Sequence, residues 1–213
     1  MKVRLLCFLW FCSVSALHAQ TNSPPDIKVF FSPHGGCTEA VVDAIREARK
    51  QILVEAYAFT SRQIVEALID AKRRGVNVEG LLDKSQSEVR ESDADMITKG
   101  GIPLFTMEGE EIRSVHRAGS FTNHAPRGHL AKEPRHGIAH NKVMIIDDAK
   151  VITGSFNFTR SAEEYNFENL LVISNDPPLA NAYTAMWKRY QAQSEPYQPG
   201  IRPRSFPKFW MPF

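Results

Sequence analysis

The most informative part of this sequence reads His140-Asn-Lys142-Val-Met-Ile-Ile-Asp147 and then, a few residues later, Gly154-Ser155-Phe-Asn157-Phe-Thr159. Residues 138–146 are rich in Ile, Val and Met, which predicts a buried strand. A turn at residues 147–148 leads into a second predicted strand over residues 150–153. Because alternate residues of a strand share a face, positions 140 and 142 should lie on one side, and so should positions 155 and 157.

The side chains collected in this way have the properties needed to handle a phosphate ester. His140 supplies an imidazole that can attack phosphorus or transfer protons near neutral pH. Lys142 supplies positive charge, while Ser155 and Asn157 supply a hydroxyl and an amide for hydrogen bonds to oxygen. A single histidine on a strand is usually a satisfied polar group, but the combination favours a catalytic site. Asp147 lies at the turn, beyond the shared face, and we interpret it as a supporting residue that ties the loop.

The complete pattern, H-x-K-x4-D followed by G-S-x-N-x-T, resembles the HKD motif of the phospholipase D superfamily, in particular its small single-motif bacterial nucleases of the Nuc type. The similarity spans residues 27–192. It also includes these segments: Phe31-Ser-Pro33, Ala56-Tyr-Ala-Phe-Thr60, Ala71-Lys-Arg-Arg-Gly75-Val, Gly101-Ile-Pro103 and Asn166-Phe-Glu168-Asn169.

The resemblance implies a mechanism with a phosphohistidine intermediate and no cofactor or metal ion. His140 would attack phosphorus, Lys142 would hold the non-bridging oxygens, and Ser155 and Asn157 would add hydrogen bonds. Glu168 would accept a hydrogen bond from the His140 ring and fix its tautomer. A second histidine is needed to protonate the leaving group, and the chain carries one motif only. The resemblance therefore implies a homodimer that shares one active site.

The order of predicted elements alternates between strands and helices. Strands are predicted over residues 27–32, 51–59, 76–83, 102–105 and 168–173, in addition to the two in the motif. Helices are predicted over residues 38–50, 61–75, 88–99 and 178–191. This order predicts an α/β protein, a phospholipase D-like α/β/α sandwich with a mixed, largely parallel sheet. Residues 27–192 would form this domain, which a chain of 213 residues is long enough to build around a real core.

The N-terminal residues 1–19 predict a secretory signal peptide. Lys2 and Arg4 precede an apolar run over residues 5–17, and Ala19 suits the end of a cleavage site. The run is short for a transmembrane helix, although an uncleaved anchor that holds the protein on a membrane is the alternative. We therefore expect a periplasmic or secreted protein. Cys37 is the one cysteine that follows the segment, so no internal disulfide is expected.

Charge restricts how such a protein could bind nucleic acid. The chain has 26 Lys and Arg against 24 Asp and Glu, and loss of Lys2 and Arg4 with the signal leaves 24 of each. Binding would therefore depend on a local basic groove. Residues 106–135 form a basic insertion that we interpret as a flap over this groove, with these candidate substrate-binding residues: Arg113, Arg117, Arg127 and Arg135.

Two alternatives for the insertion stay open. It is equally compatible with a solvated surface loop, and a zinc site is a third, weaker interpretation because the histidine spacings match no standard set. The histidines concerned are His116, His124, His129 and His136. His34 follows the first strand and is a further candidate for substrate binding, with an ordinary surface turn as the favoured alternative.

The C-terminal residues 193–213 form a tail rich in proline, aromatic and basic residues. Such a tail could stack on single-stranded bases or touch a membrane, but packing on its own domain or disorder is favoured.

The leading prediction from the whole sequence is an exported, metal-independent endonuclease that cleaves single- or double-stranded DNA, and RNA as a further substrate, with little sequence preference. The alternative is a phospholipase D-type hydrolase of phosphatidyl lipids or cardiolipin. A non-catalytic phosphate-binding module is disfavoured because the complete set of reactive side chains is present.

Overall fold

The computed structural model describes residues 24–87, 89, 92–110 and 136–200. Within these residues eight strands form one sheet: β1 (Asp26–Ser32), β2 (Gln51–Ala56), β3 (Asn77–Asp83), β4 (Leu104–Met107), β5 (Lys142–Ile146), β6 (Lys150–Gly154), β7 (Glu168–Ser174) and β8 (Glu195–Pro196). The order across the sheet is β1-β7-β6-β5-β2-β3-β4-β8. The helices are α1 (Cys37–Glu47), α2 (Arg62–Arg73), α3 (Lys84–Ser87), α4 (Ala94–Lys99), α5 (Arg160–Glu164) and α6 (Pro177–Gln191).

Helices cover both faces of this sheet. The larger core lies on the face where α1, α2 and α4 pack, because their apolar residues recur at helical spacing and meet every second residue of the central strands. The smaller core lies on the opposite face, under α6. The Trp187 indole of α6 is buried and donates a hydrogen bond to the Val54 carbonyl of β2 at 2.9 Å. The Asp176 side chain begins α6 by accepting from the Leu179 amide at 3.0 Å.

The predicted α/β sandwich with a mixed sheet is confirmed, but the expectation of a largely parallel sheet is wrong. Only the β2–β3 and β3–β4 pairs are parallel, whereas the other pairs of the described sheet are antiparallel. Helical crossovers join the parallel strands. β5 and β6 are joined by a tight turn over residues 147–149, and so short a connection can join antiparallel strands only.

Several element boundaries also differ from the prediction. The strand predicted over residues 138–146 begins only at Lys142, because β2 ends at Ala56 and offers no ladder partner further on. The helix predicted over residues 88–99 is the shorter α4, although residues 88, 90 and 91 lie outside the described part. Helix α5 was not predicted, and its first turn is capped by Thr159. β8 lies in the predicted tail yet pairs with β4.

Some predictions fall on residues outside the described part of the chain. These are the signal peptide over residues 1–19, most of the basic insertion, and the tail from residue 201 onward; the individual residues are Arg113, Arg117, Arg127, Arg135, His116, His124 and His129. They stay predictions. Among the described residues, no helix has both the length and the apolar character that crossing a membrane requires.

Candidate active site

A pocket of about 360 Å³ opens where β5, β6 and β7 come together, at the end of β5 that carries the histidine of the motif. The five residues predicted as catalytic all line it: His140, Lys142, Ser155, Asn157 and Glu168. Asn141, Thr153 and Gly154 complete the lining. The reactive side chains of the motif therefore do meet in one place, although only Lys142 and Glu168 of the five lie within a strand.

The sheet register explains why a glycine precedes Ser155. Gly154 ends β6 opposite Leu170 of β7, and the next two amides, those of Ser155 and Phe156, donate to the Asn169 carbonyl at 3.1 and 3.2 Å. A Cβ atom on residue 154 would lie 2.2 Å from that carbonyl oxygen. Only glycine permits this close approach, which turns the chain so that the serine and asparagine side chains enter the pocket.

Lys142 is the buried cation of the pocket. Its side chain begins in the larger core and the residue is 6% exposed. The ammonium Nζ donates to the His140 carbonyl at 2.6 Å and lies 5.4 Å from the centroid of the Tyr57 ring. Burial lowers the pKa of Lys142, and the Glu168 carboxylate opposes this shift. An ammonium has three donors, and the described residues accept from one of them, which leaves two N–H groups for the oxygens of a bound phosphate.

His140 stands on the irregular segment just before β5 and is exposed to solvent. Its ring packs against the Tyr57 ring in an edge-to-face arrangement, with centroids 4.8 Å apart. Partial desolvation lowers the pKa of His140, the neighbouring Lys142 charge lowers it further, and the Asp83 carboxylate opposes both. The neutral imidazole, which is the form that can attack phosphorus, is therefore favoured near neutral pH.

The two polar side chains that follow β6 are prepared for hydrogen bonding in different ways. Ser155 Oγ accepts from the Asn169 amide at 3.1 Å and from Asn169 Nδ2 at 3.3 Å, which leaves the hydroxyl proton to donate into the pocket. Asn157 Oδ1 is buried and has no hydrogen-bond partner among the described residues. Buried polar atoms are nearly always paired, so this side chain is a candidate for contact with a ligand.

Glu168 lies in the pocket, but its observed hydrogen bond differs from the expected one. Its Oε1 accepts from Asn166 Nδ2 at 3.2 Å. The contacts of the described residues include no hydrogen bond between Glu168 and the His140 ring. The expected role of Glu168 in fixing the tautomer of His140 thus stays a prediction.

Asp147 occupies the opposite end of β5, away from the pocket. Its carboxylate accepts from the backbone amides of Arg49, Lys50 and Gln51 at 2.8, 2.7 and 3.0 Å. It thereby ties the β5–β6 turn to the residues that lead from α1 into β2. This position suits a structural residue and places the carboxylate out of reach of the reacting groups.

The remaining predicted residues that the structure describes, His34 and His136, lie outside the pocket. His34 is exposed on the turn after β1, where its amide donates to the Glu163 carbonyl at 2.9 Å, and it does not line the pocket. His136 contacts Glu108, with 3.6 Å between Nδ1 and the carboxylate. Nowhere in the described ranges do three or more His, Cys, Asp or Glu residues group as ligands for a metal ion.

Sequence reasoning gave no role to several residues that surround the reactive groups. Tyr57 packs against both His140 and Lys142, and the buried Asp83 carboxylate accepts from the Ala139 amide at 2.8 Å. Asn169 holds Ser155, as described above. Tyr57 and Asn169 belong to segments that resemble the superfamily, and this resemblance could have identified them as site residues. Asp83 ends a strand and belongs to no motif, so the sequence offered no such indication for it.

Comparison with known proteins agrees with this geometry. The family model described as cardiolipin synthase, PLD-like domain, matches residues 41–190. A protein named phospholipase D from Rickettsia bellii is 37% identical over 168 residues, which cover 79% of this chain and 70% of the relative. The crystal structure of Nuc, a phospholipase D family member from Salmonella typhimurium, matches with a TM-score of 0.65 and 36% identity over 82% of this chain and 99% of that one. NucT from Helicobacter pylori matches with a TM-score of 0.69 over 82% of this chain and all of that one, and at 21% identity it supports the fold alone.

The fold and the pocket define a phosphodiesterase of the phospholipase D superfamily, and the chain belongs to that superfamily. Within it, the chain is of the Nuc type, with one HKD motif and a match to nearly the full length of Nuc.

Proposed function

We propose that this protein is a metal-independent endonuclease that is exported from the cytoplasm and cleaves DNA, and RNA as a further substrate, with little sequence preference. The observation that carries the proposal is the grouping of His140, Lys142, Ser155, Asn157 and Glu168 in one pocket. The match to Nuc over nearly its whole length supports a nuclease. Lys142 supplies the fixed positive charge at the phosphate, which is the task that a metal ion performs in other phosphodiesterases.

The reaction proceeds in two displacements. A ring nitrogen of neutral His140 attacks phosphorus, a P–N bond forms, and the P–O bond to the leaving group breaks as a second histidine gives that oxygen its proton. The same second histidine then takes a proton from water, and the hydroxide attacks phosphorus. The P–N bond breaks and His140 is released. Lys142, Ser155 and Asn157 hold the non-bridging oxygens while charge builds on them.

The second histidine comes from a second copy of the chain, so the active enzyme is a homodimer. An apolar surface beside the pocket supports this assembly. Ile27, Val29 and Phe31 alternate along β1 and are 62%, 53% and 62% exposed, on the part of the sheet that α6 leaves uncovered. Phe31 pairs with Asn169, next to Glu168 of the pocket. A contiguous apolar surface of this kind is typical of a protein interface.

A lipid substrate is the second candidate, and the surroundings of the pocket favour it in one respect. Phe167 precedes Glu168 directly and is 92% exposed, and Tyr165 nearby is 69% exposed. Exposed aromatic side chains beside a reaction site suit insertion into a lipid surface. The names of the Rickettsia relative and of the family model point in the same direction. Under this alternative, an uncleaved N-terminal segment would hold the enzyme on the membrane.

One experiment separates the two candidates. The mature protein is incubated in EDTA with plasmid DNA, with RNA, and with vesicles that contain labelled phosphatidyl lipid or cardiolipin, and His140→Ala is the control. We expect plasmid nicking that survives EDTA and disappears in the variant, while the melting temperature stays the same because His140 is exposed. Lipid turnover without cleavage of either nucleic acid would replace the nuclease proposal by the lipid one.

A further inference from the structure

His140 is carried by a segment that the sheet does not hold. Among the described residues, 138–141 precede β5 and form no ladder with a neighbouring strand, whereas the Gly137 amide before them donates to the Glu110 carbonyl at 2.9 Å. Two buried carboxyl groups hold the residues on either side of His140 instead. Asp83 Oδ2 accepts from the Ala139 amide at 2.8 Å, and Glu55 Oε1 accepts from Asn141 Nδ2 at 3.0 Å.

Glu55 is unusual for the centre of a sheet. It lies on β2 between Leu81 of β3 and Val143 of β5 and is 1% exposed. It shares a face with Leu53 of the apolar core under α6. Its second oxygen, Oε2, is buried and has no hydrogen-bond partner among the described residues. Burial raises the pKa of Glu55, while the Asn141 hydrogen bond opposes the shift.

A carboxyl group in this place destabilises the fold. An apolar side chain of the same size would fill the space without the loss of hydration that a half-satisfied carboxyl suffers. The contact that the carboxyl does make is with Asn141, which lies between His140 and Lys142 and lines the pocket. Among the described residues, Asn141 Nδ2 also lies 3.8 Å from Met186 Sδ, and a thioether is a weak acceptor that cannot replace a carboxyl oxygen.

We propose that Glu55 is a positioning residue: through Asn141 it fixes where the His140 ring stands relative to Lys142 and Ser155. The proposal rests on the function proposed above, because it concerns the step in which His140 attacks phosphorus. Attack requires the ring nitrogen to stand in line with the departing oxygen, and a displacement of about 1 Å is enough to slow such a reaction by two orders of magnitude. Substrate affinity depends on the phosphate-binding groups, which Glu55 does not contact.

The test uses bis(p-nitrophenyl) phosphate, a phosphodiester that is neither nucleic acid nor lipid. Glu55→Met removes the acceptor and keeps the volume, so we expect kcat to fall about 10- to 100-fold while KM stays within about twofold. The melting temperature should stay equal or rise, because a poorly solvated carboxyl has been removed. Glu55→Gln keeps a carbonyl acceptor for Asn141 and should return kcat to within about threefold of the original value.

Asn141→Ala removes the same hydrogen bond from its other end, without altering a residue of the core. It should lower kcat as Glu55→Met does, and the double variant should be no slower than either single variant, because both remove one interaction. Thr184→Val is the matched control. The Thr184 hydroxyl on α6 is also buried and has no partner among the described residues, so its removal should alter neither kcat nor KM.

The outcomes separate this inference from the proposed function. Full turnover by Glu55→Met beside an inactive His140→Ala would overturn the positioning role and leave the proposed chemistry intact. A rise in KM at unchanged kcat, or losses that multiply in the double variant, would overturn it as well. Full activity of His140→Ala would remove the proposed chemistry itself.

Discussion

Both ends of strand β5 carry polar residues of the same sequence motif. The two ends differ in how far the protein satisfies the hydrogen-bonding groups of those residues. At the far end, Asp147 is fully engaged, since three backbone amides converge on its carboxylate. At the near end, polar groups keep hydrogen-bond donors or acceptors that the described residues do not use. Among the described residues, Lys142 makes one hydrogen bond to protein, and Asn157 Oδ1 of the same pocket makes none.

This difference indicates which residues serve the fold and which serve the reaction. A polar group whose hydrogen bonds are all satisfied within the chain stabilises the native state and has nothing left for a ligand. A buried group with unused donors or acceptors destabilises the native state until a ligand satisfies it. Substitutions at the near end should therefore lower activity and spare stability, and substitutions at the far end should do the reverse.

The largest expected effect belongs to Lys142→Met. The substitution keeps the apolar stem and removes the charge that holds the phosphate oxygens, so kcat should fall by about 10²- to 10³-fold or more. The unfolding midpoint in urea should stay the same or rise, because the buried ammonium loses solvation on folding. Activity and urea unfolding are measured on the same preparation.

A marked loss of stability in Lys142→Met would contradict the catalytic role of the near end, because the ammonium would then be a structural group. Lys150→Met is the matched control at the far end of the hairpin, where the ammonium contacts Glu47. It removes the same charge from the same hairpin and should leave kcat unchanged.

A smaller effect concerns the protonation of His140, which can be followed by NMR titration of the ring. Partial desolvation and the Lys142 charge lower its pKa, so the midpoint should lie below the ordinary value of 6.5. The enzyme would then keep its neutral nucleophile to lower pH, and the acid limb of kcat/KM should fall below that value too.

Two substitutions test the direction in which the neighbouring charges shift the His140 pKa. Lys142→Met removes a neighbouring positive charge, which favours the protonated ring and should raise the His140 pKa. Asp83→Asn removes the opposing negative charge and should lower it. If both substitutions shifted the His140 pKa in the same direction, the electrostatic explanation of that pKa would be wrong.

The residues at the near end also show which features of the site the sequence alone could predict. The motif predicted the grouping of Lys142, Ser155 and Asn157 but not its geometry, because Ser155 and Asn157 follow the end of β6 and the turn at Gly154 directs them into the pocket. The support beneath His140 could not be foreseen. Glu55 stands in a run that reads as an ordinary hydrophobic strand, and its link to Asn141 joins residues far apart in the chain.

The sequence alone could not predict the direction of each strand either. The alternation of strands and helices fits either direction for β1, which is the first strand of the described residues. Its place at the sheet edge beside β7 is decided by long-range packing between the two ends of the domain. The tight turn at Asp147 was the one local signal for antiparallel pairing, and it concerns β5 and β6 alone.

The smallest effect on activity is expected at Asp147, where substitution should lower stability instead. Asp147→Ala removes the acceptors of three amides and places alanine at a φ of 53°, a region that asparagine, aspartate and glycine tolerate better. We expect the free energy of unfolding to fall by about 1–3 kcal/mol, while kcat stays within about twofold because the pocket is at the other end of the strand.

Two further variants assign the cause of that destabilisation. Asp147→Gly relieves the backbone strain but still lacks the acceptors, and Asp147→Asn keeps one acceptor oxygen and tolerates the backbone conformation. If the hydrogen bonds dominate, the alanine and glycine variants should be similarly destabilised and the asparagine variant less so. A large loss of kcat in a stably folded Asp147→Asn would mean that the carboxylate acts on the reaction across the length of β5, and the division between the two ends would then fail.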